Sequence, residues 1–309
     1  RGNALIGQEE LRPYYVQFLK DAMNISKQYQ RKLLEGVRVA YCGIEGAFAH
    51  MAAMRLFPDA NPVAYEDFKA AYSAVEAGEC DVAVLPLENS FAGEVGTVMD
   101  IMFGGNLYVN DLRTLQVEHC LLGAPGAQMS DVTTVMSHPQ ALAQCAGYIE
   151  RKGYRQVQST NTALAAKDVA ERGDKTLAAI ASTTAAKLYG LEVLESNINE
   201  SESNSTRFGV FSRTRSEKPR SSKSDHILLM FTVKNEAGAL AKAINVIGAY
   251  GYNMSVVRSR PMKSLAWQYY FYIEANGDGT RGNEERMITA LQATCDKLKV
   301  LGSFDWKEQ

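Results

Sequence analysis

The sequence predicts an α/β protein of two lobes followed by a smaller third unit. Residues 37–190 alternate short apolar runs with helix-period segments, which is typical of a mainly parallel sheet covered by helices. Residues 225–309 follow the order β-α-β-β-α-β, which is the ferredoxin-like order. A stretch rich in Ser, Arg and Lys over residues 214–224 separates the two parts and is predicted to be a linker.

The composition argues against nucleic-acid and membrane partners. The 309 residues are 46% hydrophobic and carry a net charge of −2, which leaves no basic footprint for nucleic acid. No apolar run approaches the roughly 18 residues of a membrane span. The five cysteines are scattered along the chain without C-x-x-C spacing. An odd, dispersed set of this kind is typical of reduced thiols, so we expect a cytoplasmic protein. Gly43-x-x-Gly46 lacks the rest of a dinucleotide fingerprint, and the histidines lack metal-ligand spacing, so we expect neither cofactor nor metal.

Residues 1–36 are predicted to form one amphipathic helix. Apolar side chains recur every three or four positions from Leu11 to Leu33. Pro13 suits a first turn, and Gly36 suits a C-terminal stop. A single helix cannot bury such a stripe alone, so we expect it to pack on the body of the protein or on another chain.

Strands and helices alternate through the two predicted lobes. The first lobe is expected at about 37–113 and 191–213, and the second at about 114–190. Predicted strands are 37–41, 63–65, 81–86, 115–123, a run from 135, 177–182 and 209–211. Predicted helices are one ending at 56, then 68–77, one from 139, 164–171 and 184–189.

Hydroxyl and amide side chains gather where these strands end. Asn89 and Ser90 follow a buried strand, at the sheet edge where ligands of open α/β sheets bind. Ser137 stands at the N-cap position of a predicted helix, and polar residues likewise precede the predicted helix that begins at 164. The N-terminal ends of these two helices offer backbone N–H groups to an anion. For His138 we prefer a structural cap to a catalytic base. We therefore expect a polar cleft between the lobes.

The segment 204–208 brings an amide, two hydroxyls, a guanidinium and an aromatic ring together. Arg207 has the fork geometry that holds a carboxylate, and a neighbouring hydroxyl can donate to a leaving oxygen. The alternative is a polar loop before the strand at 209–211.

The third unit has predicted strands at 227–233, 254–260, 267–275 and 300–306, and predicted helices at 240–250 and 284–299. The turn from Asn235 to Leu240 precedes the first of these helices. Backbone N–H groups there can hold a small polar ligand.

Four motifs in sequence order resemble those of the prephenate dehydratase family with its C-terminal ACT regulatory domain. They are Leu87-Glu88-Asn89-Ser90, Ser137-His138-Pro139-Gln140-Ala141-Leu142, Asn161-Thr162-Ala163 and Thr206-Arg207-Phe208. The resemblance covers nearly all of 37–309. It implies a two-lobed catalytic domain similar to periplasmic binding proteins, and a homodimer or homotetramer. It also implies a carbon–oxygen lyase of L-phenylalanine biosynthesis, which converts prephenate to phenylpyruvate, carbon dioxide and water without a cofactor.

The resemblance also implies site residues. Thr206 would be the catalytic donor to the departing hydroxide. The implied substrate-binding residues are Asn89, Ser90, Ser137, Gln140, Asn161, Thr162, Ala163, Asn204, Arg207 and Phe208. For Arg207, a structural ion pair remains the alternative.

L-phenylalanine is the implied effector. Its site is expected at a dimer interface, between the turn at 235–240 of one chain and the strand at 253–260 of its neighbour. The implied residues are Asn235, Gly238, Ala239, Leu240, Asn253, Met254, Arg258, Ser259 and Arg260.

Two positions depart from the family pattern. Ala49 follows Phe48 where the family usually has Ser or Thr, and Arg258 stands where the usual Glu-Ser-Arg-Pro motif begins. The N-terminal helix resembles the last helix of an AroQ-type chorismate mutase, with Ser26 and Gln30 at matching polar positions, and is interpreted as a remnant without mutase activity. Arogenate dehydratase and a non-catalytic amino-acid sensor are the alternative functions.

Overall fold

The computed structural model describes residues 9–201, 203–216, 225–262, 267–277 and 283–304. Most of the predicted linker, the first eight residues and the end of the last predicted strand lie outside these ranges. After a 3-10 turn at Glu9–Leu11, the helices are α1 Arg12–Glu35, α2 Phe48–Leu56, α3 Phe68–Glu76, α4 Gly96–Gly104, α5 Pro139–Gln144, α6 Ala146–Lys152, α7 Thr162–Arg172, α8 Thr183–Tyr189, α9 Ala239–Ala249 and α10 Asn283–Gln292.

The strands form three sheets. They are β1 Arg38–Cys42, β2 Asn61–Tyr65, β3 Val82–Asn89, β4 Gly93–Glu94, β5 Tyr108–Gln116, β6 Cys120–Gly123, β7 Thr134–Ser137, β8 Arg155–Gln158, β9 Leu177–Ala181, β10 Glu192–Glu195, β11 Ser205–Ser212, β12 Asp225–Thr232, β13 Asn253–Pro261, β14 Tyr269–Gly277 and β15 Lys297–Phe304. The first lobe has the order β2-β1-β3-β11-β5, with β4 beside β3; the second has β10-β6-β9-β7-β8; and the third unit has β13-β14-β12-β15.

The predicted two-lobed α/β architecture and the ferredoxin-like third unit are confirmed. The lobe sheets are mixed, because β11 runs antiparallel to both β3 and β5. In the second lobe β7, β8 and β9 are parallel, whereas β6 and β10 are antiparallel. In the third unit every strand pair is antiparallel, as the ferredoxin-like order requires.

Several predicted boundaries are wrong. The predicted strand 115–123 is two strands, because the chain leaves the first lobe after Gln116 and enters the second at Cys120. The segment 191–195, predicted for the first lobe, belongs to the second, because β10 pairs with β6. The last predicted helix ends at Gln292, since the chain from Lys297 pairs with β12 as β15.

Two crossover segments join the lobes, residues 117–119 and 196–204, and hydrogen bonds hold them together. The Val117 N–H donates to the Asn204 carbonyl at 2.8 Å, and the Ile198 N–H donates to the His119 carbonyl at 3.0 Å. The Asn199 side chain bonds both the His119 N–H and the Val117 carbonyl, each at 2.7 Å. The crossovers therefore form one connected support beneath the cleft.

Helix α1 starts and stops as predicted. Pro13 lies in its first turn, and Gly36 ends it with φ +81°, a conformation that favours glycine. None of its residues is buried, and Phe18 and Leu33 of the apolar stripe remain 66% and 67% exposed. Near its C-terminal end, Arg31 donates to the Gly78 carbonyl at 2.8 Å. The helix thus contacts the first lobe at this end. In the described part of the chain, no helix combines the length and apolar character needed to span a membrane.

The third unit packs directly on the first lobe. One face of its sheet carries Leu229, Phe231 and Ile273 and packs under α9 and α10. The other face shares a continuous apolar core with the first lobe. Members of that shared core include Leu228, Met230, Tyr272, Leu85, Val109 and Phe211. The third unit therefore covers a sheet face of the lobe.

Gly302 permits this packing and provides a test of it. A β-carbon at Gly302 would overlap the carbonyl oxygen of Val109 on β5, so Gly302→Ala is expected to lower the free energy of unfolding by about 1–3 kcal/mol, as for overpacking. Gly248→Ala is the matched control, because nothing lies within 4 Å of a β-carbon there and the position is helical. Chemical denaturation should show the control unchanged or stabilised. Equal effects of the two substitutions would contradict the close approach.

Candidate active site

Asn89 and Thr206 face each other where β3 pairs with β11, next to the crossovers. Sequence reasoning placed Asn89 in a loop and began the following strand at 209. The structure extends β3 to Asn89 and starts β11 at Ser205. Side chains alternate between the two faces of a strand, so Thr206 and Arg207 point to opposite faces. The residues of the predicted cluster at 204–208 are therefore divided between the two faces of the sheet.

The orientation of the Asn89 amide is fixed by the backbone. Its Oδ1 atom accepts hydrogen bonds from the N–H groups of Phe91 at 3.0 Å and Ala92 at 2.9 Å. These groups can only donate, so the oxygen must face them and the NH2 group must face the other way. The NH2 group lies 3.0 Å from Thr206 Oγ1 and 3.0 Å from Asn204 Oδ1. Asn89 is 6% exposed, so these bonds are shielded from water.

This arrangement makes the Thr206 hydroxyl an acceptor toward Asn89. Its oxygen accepts from the Asn89 NH2 group, so its own hydrogen is not used in that bond. Thr206 is half-buried. The hydroxyl can therefore donate to a ligand oxygen in the cleft, as the predicted catalytic role requires.

The second lobe contributes two glutamines to the same cluster. Gln140 Nε2 lies 3.3 Å from Asn89 Oδ1, and Gln144 Nε2 lies 3.4 Å from the same atom. Gln144 also reaches Asn204 Oδ1 at 3.4 Å. Gln140 and Asn204 were predicted site residues, whereas Gln144 was missed. Its position four residues after Gln140, on the same face of α5, is the signal that identifies it.

Ser90 is placed close by but is engaged with the chain. Its hydroxyl donates to the Ser203 carbonyl and accepts from the Ser205 N–H, both at 3.0 Å. These bonds attach the turn after β3 to the start of β11. Ser90 therefore holds the cluster together, and a role in binding substrate stays a prediction.

His138, and not Ser137, caps the start of α5. The N-cap is His138, whose Nδ1 accepts from the Gln140 N–H at 3.2 Å, so the predicted cap role of His138 is confirmed. Burial lowers the pKa of His138, which favours the neutral ring that this acceptor role needs. Ser137 is not the N-cap, because it belongs to β7. Its hydroxyl is fully buried and donates to the Ile180 carbonyl at 2.6 Å.

The start of α7 lies against the first lobe. Asn161 is its N-cap and accepts from the Leu164 N–H at 2.7 Å, while Ala163 is buried. A β-carbon on Gly46, in the glycine turn of the first lobe, would lie 3.7 Å from the Ala163 β-carbon. Gly46 has φ +86°, so the turn approaches the other lobe through a residue that tolerates this conformation.

Ser182 and Tyr189 make further contacts between the lobes. The Ser182 hydroxyl caps α8 and lies 3.4 Å from the Gly46 carbonyl, and the Tyr189 hydroxyl donates to the Glu45 carbonyl at 2.8 Å. These groups and the start of α7 join the glycine turn of the first lobe to the second lobe. The lobes are thus in contact here as well as at the amide cluster of Asn89.

Arg207 and Phe208 lie apart from the Thr206 hydroxyl. Arg207 pairs with Glu88 of β3 at 3.3 Å and with Glu274 of β14 at 2.6 Å, so its guanidinium joins the first lobe to the third unit. The Phe208 ring is buried in the core beneath α2, with Leu115 among its neighbours. The arrangement favours the structural ion pair as the role of Arg207, and Phe208 acts in packing.

Glu274 is the most buried carboxylate of this interdomain cluster. Its side chain is 4% exposed. Burial alone would raise the pKa of Glu274, but hydrogen bonds with His226, Arg207 and Tyr272 outweigh burial and lower it to about 2. Burial lowers the pKa of Arg207 and Glu274 raises it, with a net rise. Both groups are therefore charged at neutral pH.

The predicted effector residues do not share one surface. Along β13, Arg258 and Arg260 are half-buried and face the first lobe, where they pair with Glu88 and Glu94. Ser259 points to the opposite face and is exposed. Side chains alternate along a strand, and the register of β13 is irregular between Met254 and Val256. Met254 and Ser259 therefore lie on the sheet face that carries α9 and α10, and Asn253 lies on the other face with Arg258 and Arg260. The remaining predicted residues, Asn235, Gly238, Ala239 and Leu240, lie in the turn before α9 and at its start.

Comparison with known proteins places this geometry in a family. Residues 39–216 match the family described as prephenate dehydratase. A relative named arogenate dehydratase/prephenate dehydratase 1, chloroplastic, from Arabidopsis thaliana is 33% identical over 282 residues, which cover 87% of this chain and 72% of the relative.

Two solved structures are similar over 87% of this chain. One is a prephenate dehydratase from Arthrobacter aurescens in complex with L-Phe, with 27% identity, a TM-score of 0.80 and 90% of that chain covered. The other is GqqA, described as a novel type of quorum quenching acylase, with 31% identity, a TM-score of 0.79 and 98% of that chain covered. On the family match and these relatives, the chain belongs to the prephenate dehydratase family.

Proposed function

We propose that this protein converts prephenate to phenylpyruvate, carbon dioxide and water. The observation that carries the proposal is the Thr206 hydroxyl: its oxygen accepts from the Asn89 NH2 group, so its hydrogen can be donated to the substrate. In the reaction, the bond from the ring to its carboxylate breaks and carbon dioxide leaves. The electron pair enters the ring, and the bond to the ring hydroxyl breaks. The departing oxygen takes up a proton from the solvent and leaves as water, so the ring becomes aromatic.

The side chains act by position and electrostatics. Thr206 donates a hydrogen bond to the departing oxygen, where negative charge develops. A threonine hydroxyl is a weak acid, so its part is hydrogen bonding as the bond breaks. Gln140, Asn161 and Thr162 are proposed to orient the substrate carboxylates, with the first turn of α7 offering N–H groups to a negative charge.

Arogenate is the second candidate substrate. The Arabidopsis relative is named for both activities, and arogenate differs from prephenate in carrying an amino group in place of the keto group of the side chain. The ring chemistry is the same for both. The Thr206 and Asn89 arrangement therefore serves either substrate. The preference for prephenate or arogenate depends on the protein groups that contact the keto or amino group of the substrate.

Parallel turnover assays test the proposal. The whole protein is given prephenate and arogenate separately, and phenylpyruvate and phenylalanine are quantified by chromatography. Formation of phenylpyruvate from prephenate supports the proposed activity, and faster turnover of arogenate favours the second candidate. No product from either substrate would favour the amino-acid sensor. An N-acyl amide is included because one similar structure is described as an acylase.

Regulation by L-phenylalanine is the further part of the proposal, supported by the similar structure that holds L-Phe. The proposed site uses the exposed turn at 235–238, the start of α9, and Met254 and Ser259 on β13. A homodimer or homotetramer would bring this turn to the strand of a neighbouring chain. Inhibition requires that the effector bind one arrangement better than another, with a coupling of about 1–3 kcal/mol.

Calorimetry and turnover on the whole protein check this prediction. We expect heat on addition of L-phenylalanine and a reduced rate of prephenate turnover, with D-phenylalanine as the control. Sedimentation with and without the effector reports the oligomeric state. No heat and no change of rate at millimolar L-phenylalanine would leave the third unit with a packing role alone.

A further inference from the structure

His119 lies in the first crossover and is not used by the chemistry proposed above. It is 2% exposed, and its Nε2 atom lies 2.8 Å from Gln144 Oε1. Its ring meets the edge of the Phe48 ring at a centroid distance of 5.5 Å. His119 therefore contacts a helix of the first lobe and a helix of the second, directly beneath the amide cluster.

The hydrogen bonds of the cluster determine which way the Gln144 amide faces. Asn89 Oδ1 is an acceptor because two backbone N–H groups point at it. Asn204 Oδ1 is an acceptor because the Asn89 NH2 group points at it. Gln144 approaches both oxygens with one end of its amide, so that end must be the NH2 group. Its Oε1 atom then faces His119.

The same reasoning fixes the tautomer of the imidazole. Because Gln144 Oε1 can only accept, His119 Nε2 must carry the hydrogen and donate. Within the described ranges no hydrogen-bond partner reaches Nδ1, and a buried N–H there would be unsatisfied. Burial lowers the pKa of His119, and the bond to Gln144 opposes this only in part, so the ring is neutral. The structure thus requires the tautomer with hydrogen on Nε2.

We propose that His119 is a positioning residue for the dehydration: its Nε2–H holds the Gln144 amide with the NH2 group toward Asn89 and Asn204, and this adds to the two backbone N–H groups that hold the Asn89 amide against the Thr206 hydroxyl. The inference rests on the proposed function. Without the donor at Nε2, the Gln144 amide can turn over and bring its oxygen against the Asn89 and Asn204 oxygens. Repulsion between these oxygens would displace the Asn89 side chain, and its hydrogen bond to the Thr206 hydroxyl would weaken.

Two substitutions separate positioning from space filling. His119→Gln keeps an N–H donor at the end of a side chain of similar reach, whereas His119→Phe keeps an aromatic ring against Phe48 and removes the donor. We expect kcat to fall up to about 100-fold in His119→Phe, with KM little changed, because a small misplacement of a reacting group has effects of this size. His119→Gln should retain most of the turnover.

Three results would overturn the inference. They are wild-type turnover in His119→Phe, an equal loss in both variants with equal loss of thermal stability, and a rise in KM without a fall in kcat. Absence of turnover of both prephenate and arogenate by the wild-type protein would instead overturn the proposed function itself, and the role of His119 in it.

The tautomer can be measured in the wild-type protein, and this measurement does not depend on activity. The chain contains four histidines, so nitrogen-15 labelling of histidine gives a spectrum simple enough to assign, with His119 identified by its loss in His119→Gln. Couplings to the ring protons distinguish the two neutral tautomers. We expect hydrogen on Nε2 at neutral pH. Hydrogen on Nδ1, or a charged ring, would overturn the inference.

Discussion

Thr206→Ala should retain the fold and lower kcat by about 10²–10³, the loss typical when one hydrogen-bond donor to a developing negative charge is removed. This corresponds to roughly 3–4 kcal/mol of activation free energy. The fold should persist because the Asn89 NH2 group keeps two other acceptors, Asn204 Oδ1 at 3.0 Å and the Ser205 carbonyl at 3.1 Å. Steady-state kinetics with prephenate give kcat and KM, and thermal unfolding reports the fold.

Two matched variants sharpen the result. Thr206→Val keeps the branched shape of threonine without the hydroxyl and should be as slow as Thr206→Ala. Thr206→Ser keeps the hydroxyl and should retain most of the turnover. If Thr206→Val turned over prephenate at the wild-type rate, Thr206 would have no part in the chemistry.

Arg207→Met is expected to lower the free energy of unfolding by about 3–5 kcal/mol, because it leaves a buried carboxylate without its cation. That carboxylate is Glu274, whose side chain is 4% exposed. The double variant Arg207→Met with Glu274→Gln removes both charges and should recover part of the loss. Chemical denaturation of the wild type, both single variants and the double variant gives the coupling between the two residues.

The pH dependence of the same experiment has a definite sign. The pKa of Glu274 is lowered to about 2 in the folded protein, below its ordinary value of 4.5. A lowered pKa contributes stability that is present above pH 4.5 and is lost as the pH falls from 4.5 toward 2. The difference in unfolding free energy between wild type and Arg207→Met should therefore narrow in that range.

Kinetics of the same variant separate the two roles considered for Arg207. A structural ion pair predicts a large loss of stability with little change in KM at a temperature where the variant is folded. A raised KM with unchanged stability would show instead that the guanidinium binds a substrate carboxylate. Arg31→Met serves as the control, because Arg31 contacts the first lobe through backbone carbonyls far along the chain from β14.

The sequence predicts best what depends on local pattern. The alternation of apolar runs and helix-period segments identified the two α/β lobes, and Pro13 and Gly36 marked the ends of α1. It misses β8 and β10, whose residues are polar or exposed. Their strand conformation depends on the neighbouring strands β7 and β6, so it appears only when the sheet is assembled.

In the candidate active site too, some features could be predicted from the sequence and others depend on the assembled structure. Four of the predicted site residues, Asn89, Gln140, Asn204 and Thr206, lie together in the structure, although Asn89 and Thr206 are 117 positions apart in the chain. Their role in binding or catalysis stays a prediction. It could not assign the face of each side chain, because the start of β11 decides whether Thr206 or Arg207 points into the cleft. Contacts with the first lobe also decide the role of Arg258, since its partner Glu88 lies 170 positions away.

The shared core between the first lobe and the third unit constrains protein engineering. Removing residues 225–309 would expose buried apolar side chains of the lobe, among them Leu85, Val109 and Phe211. It would also leave Glu88 and Arg207 without their partners in the third unit. A shortened catalytic unit is therefore expected to aggregate unless that face is redesigned with polar residues. Substitutions that test the proposed effector site are better placed at the exposed turn at 235–238, because they leave this packed face intact.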